Sequence, residues 1–195
     1  MSSNNKQSLL DFFFSSRKYT TVKLPYYDYL RGQVFIEDVK DNYPEEIEYS
    51  FDIGHLIIML YLDFLKQIKK GVKNEDVANY IKQSINKYFE EETIERRVFK
   101  QVNNTFFQYE DVEEIKESEE DREKYAYLDL RIREKVILRG EILLHDLSPY
   151  FENVIVTVEQ LIACIYLDFI KNIKDNGNSV ALQKTIVKKL QNNNS

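Results

Sequence analysis

Two aspartates stand in apolar surroundings where a carboxylate needs a reason to be. Asp63 and Asp168 both occupy the sequence Tyr-Leu-Asp-Phe, at Tyr61 to Phe64 and at Tyr166 to Phe169. Burying an unpaired carboxylate is expensive, so each needs a partner. Arg31 and Arg139, the other charge repeated alongside them, are the expected ones. The simple reading is a structural ion pair that fixes each helix on a preceding hairpin. The chemical reading, an enzyme with Asp63 and Asp168 in two equivalent pockets, requires further ligands. Only Asp38 and Asp146 recur with them, and such carboxylates commonly cap a turn or a helix. No metal or cofactor site is expected.

Other reactive side chains are sparse. Cys164 replaces Met59 in the second copy of an apolar helix, the usual setting of an inert thiol rather than of a nucleophile with a lowered pKa and a nearby base. His55 and His145 occupy unmatched places. His145 beside Asp146 suggests a general-base pair, but neighbours along a strand point to opposite faces, and His145 reads as a strand residue. Glycine-rich phosphate loops, Gly-x-Ser-x-Gly, His-Glu-x-x-His and calcium-loop patterns do not occur. With one Cys and two His, disulfide scaffolds and cysteine zinc clusters are excluded. The sequence therefore favours a protein that is not an enzyme.

The elements that position these residues show themselves when the chain is laid over itself. Leu30 to Val39 matches Leu138 to Leu147, and Leu56 to Lys69 matches Leu161 to Lys174, with 13 identities in 24 aligned positions. Ordinary composition gives about one or two. Gly32, Pro44 and Gly71 match Gly140, Pro149 and Gly177, as expected where a fold requires turns. Within each copy, Thr21 to Leu24 and Leu128 to Ile132 alternate as strands. A second strand, Gln33 to Val39 or Glu141 to Leu147, completes a hairpin around the Arg-Gly turn. Ile47 to Phe51 and Val154 to Val158 suggest a short third strand. Helices follow over Asp52 to Lys70 and Thr157 to Asp175, then over Glu75 to Glu90 and the C-terminal tail. The expected fold class is α+β: two tandem modules, each strands in a hairpin followed by two helices, related by pseudo-twofold symmetry. Residues 1–90 hold an N-terminal arm and the first module, 91–123 an acidic connector, and 124–195 the second module.

The connector differs in kind. Residues 91–123 carry twelve acids and five bases, against a net charge of −6 for the whole chain. A hairpin turn is expected at Asn103-Asn104. Glu110, Asp111, Glu113, Glu114, Glu117, Glu119, Glu120 and Asp121, with Tyr109, form the expected binding surface. Acidic clusters hasten encounter with basic partners and aromatic side chains anchor them. The chain is accordingly expected to be a non-catalytic protein-binding protein, an inhibitor, immunity-type or adaptor protein whose partner has a basic surface. Phe12 to Phe14 in the N-terminal arm suggest docking as well.

The alternative partner is nucleic acid. Lys66, Lys69, Lys70 and Lys73 crowd one helix end, and Lys171, Lys174, Lys184, Lys188 and Lys189 the other. Two related patches of this kind would neutralise phosphates. Lysines at helix ends also complement the helix dipole, and the sequence pI is near 5.2. The longest apolar stretch, Ile53 to Leu62, falls short of the roughly 20 residues of a membrane helix. The N-terminus lacks the pattern of a signal peptide, and a cytoplasmic location is expected.

Overall fold

Alternation decides the first element. In the computed structural model, which describes residues 17–89, 93–103, 106–115, 124–151 and 154–193, Thr20, Val22 and Leu24 are buried while Tyr19, Thr21 and Lys23 face out along β1 (Arg17–Pro25). The matched strand β4 (Tyr125–Arg133) buries Leu130 and Ile132 in the same way. The two strands pair with each other, antiparallel, with Thr21 opposite Asp129. The Thr21 hydroxyl donates to Asp129 at 2.6 Å across 108 residues of sequence.

The expected hairpins do not form. Pro25 ends β1, and the chain runs directly into helix α1 (Tyr26–Asn42); β4 runs likewise into α4 (Glu134–Leu147). Gln33 to Val39 and Glu141 to Leu147 are therefore helical, because their apolar residues recur at three and four. Gly32, Phe35, Ile36 and Val39 are buried in α1, and Ile137, Gly140, Leu144 and Leu147 in α4, which is one helical face. Gly32 and Gly140 are mid-helix residues rather than turn markers. The expected third strands are also absent: Ile47 to Phe51 forms turns, and Val154 to Thr157 has no regular structure.

Helices α2 (Ile53–Ile68) and α5 (Val158–Asn176) form the centre. Asp52 caps α2 by accepting from the His55 amide, and Thr157 with Gln160 forms a capping box on α5, satisfying amides that a helix start leaves unpaired. Gly71 and Gly177 follow these helices with φ of 96° and 72°, a conformation costly for residues bearing a Cβ. Helices α3 (Asn74–Phe89) and α6 (Val180–Asn193) complete the series.

The core is shared between the two halves of the sequence. Leu56, Ile57 and Tyr61 of α2 and Leu161, Ile162 and Tyr166 of α5 are almost wholly buried. Each such aliphatic side chain contributes roughly 1.5–3 kcal/mol. The Phe35 ring meets the Phe169 ring edge-on, centroids 5.1 Å apart. Tyr166 Oη donates to the Asp28 carbonyl at 2.8 Å, and Tyr61 Oη to the Val136 carbonyl at 3.5 Å. Each hydroxyl reaches its carbonyl beside a glycine, Gly32 or Gly140, where a Cβ would collide with it.

The described residues within 17–88 and 124–193 belong to one compact unit, and those within 89–115 to a second. In the second, β2 (Thr93–Asn103) pairs antiparallel with β3 (Phe106–Ile115), Thr93 opposite Ile115, with an irregularity between Gln101 and Asn103. The chain is α+β and mostly helical. Among the described residues, no helix is long and apolar enough to cross a membrane.

Candidate functional site

The C-terminal half of α2 places Leu62, Asp63, Lys66 and Lys69 along one wall of a cleft of about 600 Å³. The end of β4 and the first turns of α4 bring Arg133, Lys135, Val136 and Arg139 to the opposite wall, and α6 adds Lys189. Helical spacing explains both walls, since residues three and four apart share a face. Six cations thus surround one carboxylate. Lys189 is bound to Asp63 at 2.6 Å. Among the described residues, Lys66, Lys69, Arg133, Lys135 and Arg139 form no ion pair.

Neither expected aspartate–arginine pair forms. Arg31 turns instead to Asp28 at 2.8 Å on its own helix, three residues away. Asp63 accepts from Lys189 and Gln67. Burial opposes its charge, but those two hydrogen bonds and the charges of Lys189 and Lys66 hold its carboxyl below the usual carboxylate range. Arg139 lines the cleft. The reason lies in the secondary structure: with residues 26–42 and 134–147 helical, the arginines do not stand on a hairpin beneath the aspartates.

Asp168 has a denser set of partners, all from α3. Tyr80 donates to Oδ2 at 2.8 Å and Ser84 at 3.4 Å, while Tyr88 and Lys87 donate to Oδ1 at 2.7 and 2.9 Å. Burial again opposes the charge, and the bonds from Tyr88, Lys87 and Tyr80 outweigh it. Burial pushes the Tyr80 and Tyr88 hydroxyls up, as does the adjacent carboxylate. Asp63 and Asp168 thus tie elements together by different means, Asp63 from α2 to α6 and Asp168 from α5 to α3.

The cleft around Asp63 differs from the surroundings of Asp168, where, among the described residues, the matched Lys171, Lys174 and Arg31 each have a carboxylate partner. Where the first half has Asp28, which holds both Arg31 and Lys174 at 2.8 and 2.7 Å, the matched residue is Val136. Pro25 and Tyr27 are matched by Arg133 and Lys135. At these positions the second half has an aliphatic group where the first has a carboxylate, and cations where the first has two neutral residues. Lys69 and Arg139, matched to Lys174 and Arg31, both line the cleft. This position-by-position difference between the matched segments was present in the sequence and was the available signal for Arg133 and Lys135.

Of the other sequence candidates, Cys164 is fully buried and its thiol is pushed up to about 12, chiefly by burial. His145 is on the last turn of α4 rather than in a strand, and its Nδ1 lies 3.7 Å from Asp146, both side chains exposed. That distance exceeds a hydrogen bond. His55 Nδ1 lies 2.8 Å from Asp52 at the start of α2. Tyr109, Glu110, Asp111, Glu113 and Glu114 are in β3; Glu117, Glu119, Glu120 and Asp121, and the Phe12 to Phe14 run, lie outside the described residues. Among the described residues, no three His, Cys, Asp or Glu side chains are grouped to hold a metal ion. Comparison with protein-family models, curated proteins and solved structures finds no match.

Proposed function

We propose that this chain is a non-catalytic binding protein whose ligand-bearing surface is the cationic cleft between α2, α4 and α6, and that its ligand is anionic there. One observation carries the reading. Five cations without an ion-pair partner among the described residues converge on a single concave site, in a chain with a net charge of −6. Like charges so gathered repel in the absence of a counter-charge and attract an anion that supplies it. The expected protein-binding class is kept, with its weight moved from the acidic connector to the cleft.

We further propose that the two halves descend from one duplicated unit and are related by a pseudo-twofold axis passing between Thr21 and Asp129. The matched order of strand and three helices in each half supports this. So do the reciprocal contacts of Tyr61 with Gly140 and Tyr166 with Gly32. Duplication supplies two sites of common origin. One is closed by Asp28 and by the tyrosines on Asp168, and the other has opened into the cleft.

Fluorescence anisotropy with labelled polyglutamate tests the binding reading. Affinity should fall steeply with salt and drop at least about tenfold in Arg139→Glu. Binding that ignores both salt and Arg139 would contradict it.

A further inference from the structure

We infer that the occupant of the cleft is a polypeptide segment in which carboxylates stand beside aliphatic side chains, laid along a groove that runs beyond the cleft to an acidic end. This rests on the cationic cleft being the ligand-bearing surface. Met59, Leu62, Arg133 and Val136 line both the cleft and an adjoining depression of about 820 Å³. The two cavities therefore share a floor. Leu62 is 39% exposed on it, an apolar side chain open to a ligand.

The far end reverses the charge. Glu46, Glu48, Asp52 and Asp129 line the adjoining depression, with Arg131 and the shared Arg133 as its cations. Among the described residues these carboxylates accept from Gln191, Ser50, His55 and Thr21, and none is met by lysine or arginine. The groove thus passes from cations without an ion-pair partner, over aliphatic side chains, to carboxylates that, among the described residues, have no lysine or arginine partner.

That order discriminates between ligands. A nucleic acid strand carries the same charge at every phosphate and would be repelled at the acidic end. Its bases bind by stacking on aromatic faces, yet among the described residues the only Phe or Tyr lining either cavity is Phe51, which is 5% exposed. A polypeptide can vary along its length. Its carboxylates would meet Lys66, Lys69 and Arg139, its aliphatic groups would cover Met59, Leu62 and Val136, and a basic residue would meet the acidic end.

The test is selection from a random-peptide display library on the full chain, in parallel with the double variant Lys66→Glu/Arg139→Glu. Selected peptides are then measured by anisotropy beside polyglutamate and a random single-stranded oligonucleotide pool. Circular dichroism checks that the variants are folded. Enriched peptides should combine Asp or Glu with Leu, Ile or Val and bind at least about tenfold tighter than polyglutamate or the oligonucleotides. They should lose about tenfold in the double variant, and by a similar factor in Leu62→Asp. Basic peptides, or peptides indifferent to both variants, would overturn the inference. Polyglutamate or oligonucleotides binding as tightly as the peptides would overturn it too while leaving the anionic-ligand reading intact. Salt-independent polyglutamate binding that also ignores Arg139 would remove that reading itself.

Discussion

Tyr166 covers Gly32 so closely that its hydroxyl occupies the space a side chain on residue 32 would need, and it donates there to the Asp28 carbonyl at 2.8 Å. Tyr61 covers Gly140 in the same way, its hydroxyl directed at Val136. Each glycine admits a side chain from the other half of the sequence to the backbone of its helix. The halves are bound by these contacts as well as by the β1–β4 ladder.

Gly32→Ala should therefore be destabilising although alanine is the better helix former. Overpacking of this kind costs about 1–3 kcal/mol. Urea unfolding should show the loss, and the double variant Gly32→Ala/Tyr166→Phe should recover part of it by removing the colliding oxygen. Gly140→Ala with Tyr61→Phe should behave alike. No cost in either alanine variant would mean that the close approach is not maintained in solution.

The acid side of the stability profile should depend on Asp168. Its carboxyl and that of Asp63 are held below the ordinary value. A group whose folded value lies below its unfolded one contributes stability that is present above the unfolded value and is lost as pH falls through the folded value. Urea resistance should thus decline on acidification below about pH 4. Asp168→Asn should be less stable near neutrality by about 1–3 kcal/mol, and its decline below that pH should be shallower. A variant with the profile of the parent chain would contradict the role given to Tyr80, Lys87 and Tyr88.

In the cleft the sign is opposite. Replacing Lys135 or Arg139 with Glu removes repulsion and should leave the melting temperature unchanged or raise it, while weakening anion binding. A stabilising change that costs binding is expected where a site is held against its own electrostatics. Thermal melts with and without polyglutamate would show both effects.

Cys164 should be silent in the folded chain. Buried, with its thiol pushed up to about 12, it should not react with a thiol reagent until the protein unfolds. Reaction at the rate of a free thiol in native buffer would contradict its packing.

Much of the scaffold was legible because burial imposes a period. The alternation of Val22 and Leu24, and of Leu130 and Ile132, marked β1 and β4, and the long apolar stretches marked α2 and α5. Helices α1 and α4 were misread for a physical reason. Val34-Phe35-Ile36 and Ile142-Leu143-Leu144 are short apolar runs that suit strand or helix alike. The spacing of Gly32, Phe35, Ile36 and Val39 decided for helix only because α5 packs on that face. The glycines looked like turn residues, since nothing local shows that a tyrosine from the other half of the sequence needs the space.

The site was legible only in pieces. Lys66, Lys69 and Lys189 stood out as lysine-rich helix ends, but their meeting with Arg133, Lys135 and Arg139 depends on how three separate segments pack. Periodicity carries no information on that. Val136 stands in the cleft at the position matched to Asp28, a difference that becomes meaningful only once Asp28 is seen to hold Arg31 and Lys174.

The most direct measurement is an NMR titration of the uniformly labelled chain with polyglutamate, following backbone amides. Shifts should concentrate at residues 62–69 and 133–139, with the matched residues 167–174 and 25–31 little affected. Equal shifts in both sets, or shifts confined to other surfaces, would contradict a single cleft opened by divergence of two matched sites.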